Sequence, residues 1–173
     1  MPDARLSFLA PLQAPIHLMV GNHDDRAAFR RVFRPGGPAS AEPISEAFER
    51  DGVRFLLLDS VLPGKAEGRL ADDQLDWLET ELAAHPDRPT WVFLHHQPLP
   101  IYIRWLDALG LQNTEGFLAF QFSSINQELA VTQEPPGFRR VEIRDGERRH
   151  WLHFLDGRVV PEPAPSAIPI YVR

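Results

Sequence analysis

Ile16-His17-Leu18-Met19-Val20-Gly21-Asn22-His23-Asp24 is the stretch on which the reading of this chain turns. A mostly apolar run that ends in a glycine turn bearing an amide, an imidazole and a carboxylate reads as a buried strand. Its polar side chains then emerge at the carboxyl end, where α/β sheets collect their ligands. A second run, Pro89-Thr90-Trp91-Val92-Phe93-Leu94, ends the same way, in His95-His96-Gln97-Pro98. Two strand tips that both deliver nitrogen and oxygen donors point to a shared divalent-cation site. An alternative for the first tip is a helix cap, because Asn and Asp also serve that purpose.

Working outward, residues Ala4 to Leu12 read as the end of a helix closed by Pro15. Asp24 and Asp25 suit the start of a helix over Arg26 to Phe33, stopped by Pro35-Gly36-Gly37-Pro38. Val53 to Asp59 is a short buried strand. After a turn-rich stretch, Pro63 to Gly68, a helix runs from about Asp73 to Ala84. Asp72 is its expected cap and Leu75, Leu78 and Leu82 its apolar stripe. With the strand Thr90 to Leu94 this makes a β-loop-α-β unit with parallel strands.

The last third differs. Trp105 to Phe120 reads as a helix interrupted at Gly110. Arg140 to Arg144 and Glu147 to Phe154 flank Asp145-Gly146, a strong hairpin signal. In that register Val141 and Ile143 share a face with His150, Leu152 and Phe154. Residues 161–173, with four prolines, read as an extended tail. The expected organisation is a single incomplete domain over residues 1–160 followed by that tail.

Composition excludes several classes of function. The chain has 173 residues, 43% of them hydrophobic and 24% charged, as in an ordinary globular domain. A net charge of −6 argues against nucleic acid or an anionic membrane as partner. The absence of cysteine rules out disulfides, zinc–thiolate sites and a cysteine nucleophile, so a metal must be held by nitrogen and oxygen. No apolar run approaches the ~20 residues of a membrane span, and no signal peptide is visible at the start. The expected location is cytoplasmic.

Of the paired histidines His95 is the expected ligand, since consecutive strand residues face opposite ways and His96 is left to pack. His150 and His153, three residues apart on a strand, lie on opposite faces and cannot line one site. His17 and His85 read as structural. Arg139, Arg140, Arg144, Arg148 and Arg149 read as a solvated hairpin, salt-bridged to Glu142 and Glu147.

Gly21-Asn22-His23-Asp24 followed by His95-His96-Gln97-Pro98 resembles the calcineurin-like metallophosphoesterases. Several further stretches resemble the class III cyclic-nucleotide phosphodiesterase branch of that superfamily. These are Leu58-Asp59-Ser60, Pro63-Gly64, Gly68, Gln74-Leu75-Asp76-Trp77-Leu78-Glu79, Asp107, Leu111, Asn113 and Pro136-Gly137-Phe138-Arg139. The resemblance implies a four-layer α/β/β/α sandwich with a two-metal centre of Fe, Mn or Zn ions. It assigns Asn22 and His95 to a metal, and His23 to protonation of the leaving group with Asp24 in support. Its substrates are cyclic nucleotides and other phosphodiesters.

The resemblance also calls for Asp-x-His and Gly-Asp-x-x-Asp ahead of the asparagine motif and a Gly-His-x-His segment after residue 118. The sequence holds none of these. The expectation is therefore a truncated α/β sandwich, a fragment whose dinuclear site is incomplete and whose exposed sheet edge favours self-association. The competing expectation is a catalytically inactive relative that acts as a binding or regulatory module.

Overall fold

The computed structural model describes residues 11–35, 40–99, 104–120, 137–144, 147–154 and 157–162. The chain forms two compact units, residues 1–120 and 121–173.

In the first unit, helix α1 (Arg26–Phe33) forms where expected, and Asp25 caps it by accepting from the Ala28 amide at 2.7 Å. The strands are β1 (Glu46–Arg50), β2 (Val53–Leu57) and β3 (Thr90–Phe93), in the order β1-β2-β3. Strands β1 and β2 are antiparallel, β2 and β3 parallel. Sequence reading passed over β1, although Asp51-Gly52 carries the hairpin signature. Both residues have positive φ, 51° and 78°, which matches the twist of a two-residue hairpin turn and is free of strain at a glycine.

Helix α2 (Asp72–Ala84) buries Gln74 and Leu78. Its N-cap is Ala71 and not Asp72, which stands 91% exposed in the first turn. The Ala71 amide donates to Gln74 Oε1 at 3.2 Å, so a glutamine three residues on does the capping from inside the helix. Two short helices, α3 (Arg104–Asp107) and α4 (Thr114–Leu118), replace the single interrupted helix expected over 105–120. Between them the Leu111 amide bonds the Gln97 carbonyl at 3.0 Å, and Leu111 bridges Gly68, so backbone pairing outcompetes helix continuation at Gly110.

The buried core of this unit includes Leu56, Leu58, Leu70 and Leu78, and a separate apolar cluster gathers beside it. Val20, Phe29, Ile44 and Val61 cluster there, with Leu18 and Phe33 packed against them. The segment 16–20 belongs to this cluster through Val20 but takes no place in a ladder. The expected strand is corrected accordingly: only Val20 of the segment is buried while Ile16 and His17 stay exposed, and strand status needs a hydrogen-bonded neighbour that the described residues do not supply. Across one face of the sheet runs a row of stacked rings. His17 lies on Phe48 with centroids 3.5 Å apart, followed by Phe55 at 4.9 Å from Phe48, then Phe93 and Trp91. The α/β class expected from the sequence holds.

In the second unit, β4 (Gly137–Arg144) and β5 (Glu147–Phe154) pair antiparallel from Arg144↔Glu147 to Gly137↔Phe154, the register read from the sequence. Strand β6 (Val159–Glu162) adds to β5, so Pro161 and Glu162 are strand residues and not part of an extended tail. Proline is tolerated there because, among the described residues, β6 has β5 on one side only. Arg140 pairs with Glu142 and lies over the Trp151 ring at 5.6 Å. The Gln121 to Gln133 stretch and residues 163–173 lie outside the described residues, as do most of 4–12.

Candidate metal centre

Asn22 and His95, 73 residues apart in sequence, meet: Asn22 Oδ1 and His95 Nε2 are 3.1 Å apart. Gly21 makes the approach possible. A side-chain carbon built there would lie 3.1–3.2 Å from Cε1, Nε2 and Cδ2 of the His95 ring, so the Gly21 α-hydrogen faces the imidazole. The turn is held internally. The Asp24 amide donates to the Gly21 carbonyl at 3.0 Å, and Asp24 Oδ2 accepts from the Gly21 amide at 2.8 Å. That carboxylate oxygen is engaged by the turn and not by the His23 ring. His23, Asp24 and His95 are exposed, and Asn22 is half-buried.

His96 goes the other way, as strand alternation requires. It is 3% exposed. Its Nε2 lies 3.2 Å from the Ala66 carbonyl, which can only accept, so Nε2 carries the proton. Nδ1 then accepts from the Ser60 hydroxyl at 2.8 Å. Burial, followed by the neighbouring His95 charge, pushes its pKa below the ordinary histidine value.

Two residues at the tip of β2 support both sides of this arrangement. Asp59, fully buried, accepts from Arg26 through both oxygens, at 2.7 and 3.1 Å, and from the amides of Ile44 and Val61 at 2.8 and 2.9 Å. Ser60, equally buried, holds His96. The Gln74 amide donates to the Asp59 carbonyl at 2.8 Å, and Asn113 brackets Leu70 with two hydrogen bonds of 3.0 and 2.7 Å. Sequence reading listed these residues as text without assigning them a task. The available signal was position: Asp59-Ser60 follows an apolar strand, as Asn22 and His95 follow theirs.

Whether these groups can hold a metal depends on the donor set. An amide oxygen and a neutral imidazole nitrogen suit one edge of a divalent coordination shell. At 3.1 Å a proton lies between them, and a cation would have to displace it. Among the described residues no group of three or more His, Asp or Glu side chains is placed to hold an ion. Asp59 is saturated by its own partners, and Asp24 gives one oxygen to the turn. The described residues therefore fit part of a metal site and not a complete two-metal centre. Sequence reading brought Asn22, His23, Asp24 and His95 to one end of the sheet, and the structure joins Asn22 to His95 directly.

No family model matches the chain. Among known proteins it is 36% identical to the glycerophosphodiester phosphodiesterase GpdQ of Enterobacter lignolyticus, over 72% of this chain and 49% of that protein. It is 36% identical to the 3′,5′-cyclic adenosine monophosphate phosphodiesterase CpdA of Pseudomonas aeruginosa, over 61% of this chain and 37% of that one. A probable cyclic nucleotide phosphodiesterase of Rhodococcus erythropolis is 41% identical over 53% of this chain and 30% of its own length. The chain spans about half the length of the first of these curated relatives and about a third of the others. On these similarities the chain belongs with the metallophosphoesterases of the cyclic-nucleotide phosphodiesterase branch.

Proposed function

We propose that the chain carries one side of a metal-dependent phosphodiester hydrolase site, acting on a cyclic nucleotide or another small phosphodiester. The observation that supports this reading is the 3.1 Å meeting of Asn22 Oδ1 and His95 Nε2 at the carboxyl end of the sheet. Its relatives include phosphodiesterases for cyclic nucleotides and for glycerophosphodiesters. A divalent ion, Fe, Mn or Zn, would polarise the phosphoryl oxygens and offset transition-state charge when bound. Asn22 and His95 would be its ligands.

His23, exposed beside them on the Gly21–Asp24 turn, would protonate the leaving alkoxide. Asp24 supports that role by closing the turn that presents the imidazole. Two neutral donors hold a dication weakly, so low occupancy and low turnover go with this reading. Cytoplasmic location belongs to it as well; among the described residues no helix is long and apolar enough to cross a membrane. So does self-association, since among the described residues β1 and β3 are the edges of their sheet.

Manganese titration followed by NMR tests the proposal. Mn²⁺ should broaden the signals of His95, Asn22 and Gly21 first, and Asn22→Ala should abolish that selectivity. Broadening confined to surface carboxylates, with His95 untouched, would refute it. The second reading, a binding or regulatory module without turnover, gains if the metal binds at His95 while bis-p-nitrophenyl phosphate hydrolysis stays at background in both wild type and His23→Ala.

A further inference from the structure

Among the described residues Asn22 and His95 sit on segments that share no ladder, and each segment is anchored by one of two adjacent residues, Asp59 and Ser60. Asp59 grips Arg26, the first residue of α1, with two hydrogen bonds of 2.7 and 3.1 Å. Arg26 Nη2 also donates to the Val61 carbonyl at 2.6 Å. Only the capping Asp25 and the closed Gly21–Asp24 turn separate Arg26 from Asn22, so fixing the guanidinium fixes the turn. Val20, 1% exposed, pins the other side of the turn in the core.

Ser60 performs the corresponding task for the other strand tip. Its hydroxyl donates to His96 Nδ1 at 2.8 Å, and the far side of that ring is held by the Ala66 carbonyl. His96 is the residue after His95, and the two rings meet edge-on with centroids 4.9 Å apart. Between these anchors the Leu58 amide donates to the Phe93 carbonyl at 2.8 Å, which locks the tips of β2 and β3 in register.

We propose that Asp59-Ser60 is the positioning element of the site: through Arg26 and His96 respectively, it sets the Asn22 turn and the His95 ring against each other. Neither residue touches a reacting group. The arrangement gives a task to two adjacent polar residues fully buried at a strand tip, each hydrogen-bonded to a different donor-bearing segment, while Asp59 also accepts from the Ile44 and Val61 amides. It rests on the reading that Asn22 and His95 form the functional pair, but its test involves neither metal nor substrate, so each can fail without the other.

The readout is the Gly21 α-proton. It faces the His95 imidazole, so the ring current should displace it upfield and give a nuclear Overhauser effect to the ring. In the full-length chain, Ser60→Ala and Arg26→Met should each reduce that displacement by half or more. Val53→Ala, a buried truncation at the far end of β2, should lower stability and leave the displacement unchanged. An unchanged Gly21 signal in both site variants, or an equal loss in Val53→Ala, overturns the proposal. Urea titration of the wild type gives a second test that needs no variant. The Gly21 displacement and the His96 ring signals should vanish in one step, and loss of the Gly21 signal while His96 remains native-like also overturns it.

Discussion

Replacing Gly68 by alanine should be among the most damaging single-methyl changes available in this protein. A carbon built at Gly68 would lie 2.2 Å from Cγ, 2.3 Å from Nδ1 and 2.6 Å from Cβ of His96, well inside contact distance. Neither side can give way easily. The His96 ring is buried and held at both nitrogens. The Gly68 backbone is fixed by its amide bond to Gly110 at 3.1 Å and by the Gln112 amide donating to its carbonyl at 2.8 Å. Overpacking of this kind costs about 1–3 kcal/mol. Forcing the ring away from Ser60 leaves buried polar groups unpaired, for roughly 1–3 kcal/mol more.

The expected loss is therefore about 4 kcal/mol, or roughly 15 °C in melting temperature for a unit of this size. Thermal melts and urea titrations followed by α-helical circular dichroism measure it, because the described helices all lie in the first unit. Gly52→Ala is the control. Its added carbon meets nothing within 4 Å, so it bears only the backbone cost of φ +78°, about 1 kcal/mol. If Gly68→Ala melts within a few degrees of wild type, or no lower than Gly52→Ala, the loop does not pack on His96 and the description of the strand tip is wrong.

Other outcomes follow from the same geometry. Arg26→Met should cost about 3–5 kcal/mol, because it leaves the Asp59 carboxylate buried without its counter-charge; a urea midpoint close to wild type would show the pair to be dispensable. The lowered pKa of His96 makes its contribution present above the unfolded value of 6.5 and lost as pH falls through the lowered folded value. Asp59 and Glu67 act against that shift and His95 adds to it. Wild type should accordingly lose urea resistance more steeply than His96→Asn as pH falls below the unfolded value of 6.5, and equal slopes would remove His96 as the cause. Purified chain should carry well under one equivalent of Mn, Fe or Zn by elemental analysis, since the described donors are two and uncharged; two tightly held ions per chain would contradict the partial site.

Period and punctuation in the sequence were enough for the local elements whose determinants are local. Asp25 ahead of Arg26–Phe33, the leucine spacing of α2 and Asp145-Gly146 between two alternating runs each encode their element within a few residues, and each formed. Strand β1 escaped notice because Glu46-Ala47-Phe48-Glu49-Arg50 is only half apolar and its stability comes from pairing with β2. The capping of α2 misled for a related reason: any of Ala71, Asp72 or Asp73 could begin the helix. The choice fell to Gln74, whose side chain bonds both the Ala71 amide and the Asp59 carbonyl.

The sequence by itself determined that Asn22, His23 and His95 stand at strand or turn tips, that His95 and His96 must diverge, and that the hairpin register is the one found. Those are consequences of period and turn chemistry, which act over a handful of residues. Only the tertiary structure decided that Asn22 and His95 meet, that Asp59 and Ser60 underlie both, and that segment 16–20 packs without entering a ladder. Each of those facts joins positions tens of residues apart. Their cause is the need to satisfy buried hydrogen-bonding groups across separate segments, a requirement that exists only once the chain has closed on itself.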